Sequence, residues 1–222
     1  MAEHLKTTTA ADILKYMESK KSENLYAYQK MCYQADLQKR GDINQSINFR
    51  NENKFIYFAI PKTGSSSIRI ALQCRDLGHI DAFGYKEIFP LDLYNEYYKF
   101  SFVRNPYDWI TSVYRYKTNT PASNRNPDKQ KFEEWLIRHT KHNLSIQGLG
   151  WPVPPYIKNQ IDWLIDPNTG EMLVDEIFRY EDINEEWKLL THKIFSKTIE
   201  LPKNHWHRTQ NFIMEDAYYT NR

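Results

Sequence analysis

An unbroken apolar run, Phe55-Ile56-Tyr57-Phe58-Ala59-Ile60, leads directly into Pro61-Lys62-Thr63-Gly64-Ser65-Ser66-Ser67-Ile68 and then into helix-like sequence. The run is short and lacks polar alternation, which predicts a strand over 54–60 buried on both faces, as in a central parallel strand. Pro61 ends it. A strand that turns through a Gly/Ser loop into a helix offers backbone N–H groups and a positive dipole end to an anion, with Lys62 as a cation beside them. Gly64 suits a turn closed to other residues, and Thr63, Ser65, Ser66 and Ser67 add hydroxyl donors. The segment therefore predicts a grip for phosphate or sulfate. It is not a Walker A loop, because G-x-x-x-x-G-K-[ST] is absent and Lys62 precedes the glycine, which disfavours an ordinary kinase or GTPase. The plain alternative is a serine-capped helix with a surface lysine.

A second strand-loop-helix unit follows about 45 residues later along the chain. Tyr98 to Val103 reads as a strand, Asn105 as an N-cap, Pro106 as the first helical residue, and the helix runs to about Lys117. Asp108, three residues after the cap, is placed for a reciprocal capping bond. Arg104 stands at the strand end and Ser112 inside the helix, a pair suited to a bidentate guanidinium grip on a phosphate with a hydroxyl as further donor. Pairing of Arg104 with a helix-end carboxylate such as Asp108 is the competing use. Two such units predict an α/β sheet covered by helices.

The remaining pattern is coarser. Ala10 to Lys20 and Glu23 to Lys39 read as helices, which makes 1–50 a helical extension packed on a main domain over 51–222. The first helix after the loop is expected over 65–76, and Phe132 to His139 and Asn184 to Phe195 are further helices. Gln160 to Ile165, Met172 to Val174, Glu176 to Tyr180 and Thr198 to Leu201 read as strands, the first two around an Asp166-Pro167-Asn168-Thr169-Gly170 turn. Thr118 to Gln130 and Leu144 to Pro155 are loops. With 30 Lys and Arg against 28 Asp and Glu, the formal charge of +2 is too small for bulk attraction to nucleic acid or membrane, so any anion affinity is local. The polar stretch from Met1 to Ser22, the absence of a long apolar run, and two isolated cysteines, Cys32 and Cys74, predict a cytoplasmic protein with reduced thiols and no membrane span.

Together the two loops resemble those of the PAPS-dependent sulfotransferases, and the carbohydrate-type family 2 more than the cytosolic steroid and phenol branch. The likeness continues more weakly through Gln160-Ile161-Asp162-Trp163-Leu164, the turn and strand at 170–175, and Phe178-Arg179-Tyr180-Glu181-Asp182-Ile183, covering about residues 54 to 218. It implies a three-layer α/β sandwich with a central parallel sheet, similar to P-loop nucleotide kinases. It also implies in-line transfer of a sulfuryl group from PAPS to an acceptor hydroxyl, with PAP as product and no metal. By this likeness Lys62 acts near the bridging oxygen of the phosphosulfate, Thr63, Gly64, Ser65, Ser66 and Ser67 wrap it, and Arg104 and Ser112 take the 3′-phosphate.

Removal of the acceptor proton calls for a base near neutral pKa. His79 is the leading candidate, because it follows the helix launched from the loop and family 2 sequences often carry a His-containing segment there. A solvent-facing or C-capping histidine is the plain alternative, and His139, His142, His205 and His207 are rival bases. In the tail Lys203-Asn204-His205-Trp206-His207-Arg208-Thr209, the resemblance assigns Arg208, and less directly Lys203, to the 3′-phosphate and Trp206 to the adenine. Family members usually continue into a final helix, whereas this chain stops at Arg222. A hydroxyl-bearing small alcohol or oligosaccharide is the expected acceptor, with Trp151 and Tyr156 available to stack on it. A phosphotransferase of related fold and a non-catalytic nucleotide- or glycan-binding protein are the rival functions.

Overall fold

A computed structural model describes residues 9–20, 49–50, 53–73, 79–118, 129–141 and 159–202. The chain divides into two compact units, one formed by Met1–Val103 and Gln160–Lys203, the other by Arg104–Asn159 and Asn204–Arg222.

The first unit is built on a small sheet. Strand β2 (Phe55–Phe58) pairs in parallel with β3 (Tyr98–Val103), which pairs in parallel with β4 (Glu176–Arg179), and the two-residue β1 (Phe49–Arg50) adds antiparallel to β2. The register sets Tyr57 beside Phe100 and Phe102 beside Phe178. Alternate residues of β2 enter two separate cores. Ile56 and Phe58 join Ile13 and Met17 of α1 (Ala10–Ser19), Tyr85 and Ile88 of α3 (Ala82–Ile88), and Leu93 of α4 (Leu91–Glu96). Phe55 and Tyr57 join Ile68 of α2 (Ser65–Ala71) and Trp187 and Leu190 of α7 (Ile183–Phe195). This double burial is why the run carries no polar alternation. The second core is largely aromatic: Tyr57 stacks on Phe100 at 5.3 Å and Phe102 on Phe178 at 5.3 Å, each pair adding about 0.5–1.5 kcal/mol beyond the area it buries.

The second unit contains α5 (Pro106–Lys117) and α6 (Lys129–Lys141), joined through Tyr114, whose ring meets Phe132 at 5.1 Å and Trp135 at 5.3 Å. Among the described residues no helix is long and apolar enough to cross a membrane.

Several expected elements take another form. The helix after the loop ends at Ala71, because Gln73 turns left-handed at φ +55° and breaks the helical path. Gln160–Trp163 is a 3₁₀ turn, with only Leu164 fully buried behind it, and the expected strands at 160–165 and 172–174 reduce to one antiparallel bridge between Ile165 and Met172. The 198–201 segment is not a strand: the carbonyl of Ile199 accepts the Trp187 indole N–H at 2.6 Å, and its N–H donates to Thr191 Oγ1 at 3.4 Å. Helices α3 and α4, with seven and six residues, are too short to show a clear period and were not expected. The expected helix 23–39, both cysteines and most of the two expected loops lie outside the described residues.

Polar staples hold the N-terminal end of the sheet. Lys99 is buried, and its ammonium donates to the carbonyls of Tyr97 at 2.7 Å and Tyr94 at 3.1 Å, closing the end of α4, with Asp175 at 3.1 Å. Nearby, Glu176 accepts from the Tyr98 hydroxyl and, at 2.5 Å, from Lys193, whose ammonium lies 4.2 Å from the Tyr98 ring centre.

Replacing Lys99 by Met is expected to cost about 2–3 kcal/mol in denaturant unfolding, because two carbonyls lose a charged donor, whereas Asp175 is half-exposed and recovers water. The second staple is pH-dependent. The hydrogen bond from Lys193, and then that from Tyr98, hold the Glu176 carboxyl below its ordinary value of 4.5, so its contribution is present above that pH and lost as pH falls. Burial, then the bond to Glu176, raise the Tyr98 hydroxyl above its ordinary value of 10.0, so its contribution is present below that pH and lost as pH rises. Unfolding measured across pH is expected to show a shallower acid-side loss in Glu176→Gln and a shallower alkaline loss in Tyr98→Phe than in the parent chain.

Candidate functional site

At the C-terminal end of β2 the chain leaves through Ala59 and Ile60 into the turn at 61–64. Lys62 and Gly64 are left-handed, at φ +68° and +80°, while Thr63 between them and Ser65 after them are not. Turns in which residues of opposite φ sign follow one another are a class of backbone that includes the anion-binding nests of phosphate loops. A left-handed residue with a side chain costs about 1–2 kcal/mol, so Lys62 is held there by its surroundings. One such hold is visible: the Thr63 hydroxyl, fully buried, donates to the Ile60 carbonyl at 2.9 Å and ties the turn to the strand end. Thr63 thus spends its donor inside the protein.

Helix α2 starts with Gly64 as its N-cap, which supplies no side-chain hydrogen bond to the first turn. Ser66 is exposed, Ser67 half-buried and Ser65 buried; Lys62 is half-buried. Gly64 is required by space as well as by φ. A Cβ placed on it would lie 2.6 Å from Cε2 of Tyr180 and 3.5 Å from Cδ1 of Ile183. Tyr180 directly follows β4, so residues from the C-terminal ends of two parallel strands meet at this turn. That edge is where open α/β sheets bind ligands.

His79 is buried at 7% exposure, with Nδ1 2.5 Å from the Ala59 carbonyl. A carbonyl only accepts, so Nδ1 carries the hydrogen, and in the neutral ring the lone pair lies on Nε2. The Trp163 ring stands edge-on to the imidazole at 6.3 Å. Asp81, two residues further on, is the N-cap of α3 and accepts the Gly84 N–H at 2.7 Å. The histidine and the turn are thus anchored on the same strand end, Ala59 and Ile60.

The second segment belongs to the second unit. Arg104 is half-buried, and Asn105 caps α5 by accepting the Tyr107 N–H at 3.0 Å, with Pro106 as the first helical residue. Ser112 is 3% exposed, between the buried Thr111 and Val113. Burial lowers the pKa of the Lys117 amine, at the end of α5. Arg208, Trp206, His142, His205 and His207 lie outside the described residues, as does the side chain of His139. Among the described residues no group of His, Cys, Asp and Glu is arranged to hold a metal ion.

Two features of the site had no signal of their own in the sequence. The packing of Tyr180 on Gly64 joins residues 116 positions apart, and only the glycine hinted that something approaches closely. The anchoring of His79 on Ala59 depends on a backbone carbonyl, which every residue possesses. Arg69 on α2, also passed over, is 4% exposed.

Gly64→Ala is expected to destabilise the chain by about 2–4 kcal/mol in denaturant unfolding, from the left-handed φ and from the ring in the path of the new methyl group. Loss of less than about 0.5 kcal/mol, typical of an unconstrained surface site, would mean that the turn is not held as described. Comparison of the chain with protein-family models, with curated proteins and with solved structures gave no match.

Proposed function

We propose that the chain is a PAPS-dependent O-sulfotransferase that moves a sulfuryl group to an acceptor hydroxyl of a carbohydrate or small alcohol. The observation that carries this reading is the turn at Lys62–Gly64, with positive φ at its first and third residues, set after the C-terminal end of β2 with His79 anchored three residues before it. An ordinary helix start needs neither left-handed residue. Amides converging in such a turn, with a lysine in it, fit the donor set that a phosphosulfate requires.

PAPS, when bound, supplies a sulfuryl group activated by its anhydride bond to phosphate. The chain's own residues have three tasks. The turn amides and Lys62 hold the phosphosulfate and stabilise charge growing on the phosphate oxygen as the bond breaks. Nε2 of His79 takes the proton of the acceptor hydroxyl, while Nδ1–H, held by Ala59, fixes the tautomer and ring orientation. Arg104 and Ser112 bind the 3′-phosphate that distinguishes PAPS from other adenine nucleotides, with Arg208 as a further cation. These last assignments rest on the resemblance in sequence. The reading carries with it a three-layer sandwich of the P-loop nucleotide-kinase type, a cytoplasmic setting, and no metal requirement.

Calorimetric titration separates this reading from its rivals. Binding of 3′,5′-ADP at least tenfold tighter than 5′-AMP is expected, with the preference abolished in Arg104→Ala; equal or absent binding of the two overturns the proposal. With labelled PAPS and a panel of hydroxyl acceptors, Lys62→Ala is expected to lower turnover by about 10²–10³-fold. His79→Asn keeps a donor toward Ala59 but removes the base, and is expected to lower turnover by about 10²–10⁴-fold with little loss of 3′,5′-ADP affinity. Parent-like turnover in His79→Asn would assign the base elsewhere.

A further inference from the structure

We infer that Tyr180 is the positioning residue of the anion-binding turn, its ring acting as the template against which the left-handed conformation at Lys62–Gly64 is set. The inference rests on reading that turn as an anion grip and assigns its geometry to a residue remote in sequence. Tyr180 is itself fixed on both sides by backbone bonds. Its N–H donates to the Val103 carbonyl at 2.7 Å, carrying the β3–β4 pairing one step beyond Arg179, and its carbonyl accepts from Ile183 N–H at 3.2 Å as the chain enters α7. From this position the ring reaches Gly64 so closely that a Cβ there would lie 2.6 and 3.1 Å from Cε2 and Cδ2, with Ile183 Cδ1 beside it at 3.5 Å.

The physical consequence is selection of one turn conformation. The Lys62–Gly64 peptide units contain one residue that dislikes its left-handed φ and one glycine free to adopt many others. Thr63 ties the turn to the Ile60 carbonyl. A rigid ring seated on the glycine leaves alternative glycine conformations without space, so the amides are aligned before an anion arrives and the ordering cost is not drawn from binding. The same residue links two strand ends, since its amide holds Val103, the residue immediately before Arg104. A flat, rigid ring suits this task better than a branched aliphatic side chain, because two of its edge atoms, Cε2 and Cδ2, meet the glycine together.

The full chain carrying Tyr180→Phe, Tyr180→Leu or Tyr180→Ala, and Gly64→Ala with and without Tyr180→Ala, tests this. The probes are inorganic pyrophosphate and 3′,5′-ADP by calorimetry, amide hydrogen exchange of residues 62–67 by NMR, and denaturant unfolding. Tyr180→Phe is expected to keep both affinities within about threefold, whereas Tyr180→Leu weakens both by about ten- to thirtyfold, the equivalent of re-ordering one or two backbone residues. In Tyr180→Leu the amides of 62–67 exchange faster than those of β2, and Gly64→Ala is less damaging in the Tyr180→Ala background than alone. Parent-like affinity and exchange in Tyr180→Leu, with only an overall drop in stability, would reduce Tyr180 to a core residue and overturn the inference. If the parent chain binds neither probe, the anion reading fails, and the inference about a positioned anion grip falls with it. If it binds pyrophosphate but shows no preference for 3′,5′-ADP over 5′-AMP, only the PAPS assignment fails, and the Tyr180 series still decides whether the turn is positioned.

Discussion

Burial of both faces of β2 is the constraint on which the first unit depends. Four residues, Phe55 to Phe58, divide alternately between an aliphatic and tyrosine-rich core beneath α1, α3 and α4 and an aromatic core beneath α2 and α7. A strand committed on both sides cannot slip by one residue without exchanging its two faces. The point at which β2 ends is therefore fixed, and so is the place where the turn at 61–64 begins. The precision needed to hold amides in a strained turn is supplied by this packing rather than by the turn itself.

The two ends of the sheet are treated differently by the chain. At the N-terminal end, Lys99, Asp175, Tyr98, Glu176 and Lys193 make a dense set of hydrogen bonds that close helix and strand ends. At the C-terminal end the chain keeps two left-handed residues, an N-cap without a side chain, and a buried histidine whose Nδ1 meets the Ala59 carbonyl. The N-terminal end also carries a left-handed residue, Lys54 at φ +52° directly before β2, so positive φ is not confined to the edge of the turn.

Much of the scaffold was legible because its signals are local. The apolar run with a following proline and glycine marked β2 and its turn; Asn105 and Pro106 marked the start of α5, where they cap as expected. Lys62, Gly64 and His79 were chosen from residue type and position, and the structure adds their backbone circumstances: a left-handed lysine, a glycine under a ring, an imidazole on a carbonyl. Where local signals were weak, the reading strayed. The strands expected at 160–165 and 198–201 contain apolar and β-branched residues, but their backbone groups find partners in turns and in α7 side chains instead of a neighbouring strand.

The sequence by itself determined the two strand-turn-helix units at β2 and β3, the existence of a Gly/Ser turn after a doubly buried strand, and the residue types available to bind an anion and move a proton. These follow from periodicity, turn chemistry and side-chain functional groups, all of which act over a few residues. Tertiary structure alone decided which backbone atoms those residues meet. His79 lies 20 positions from Ala59, and Tyr180 lies 116 from Gly64, so no local pattern encodes either contact. The second arises because parallel pairing sets the ends of β2 and β4 at one edge of the sheet, where a ring can fix a turn.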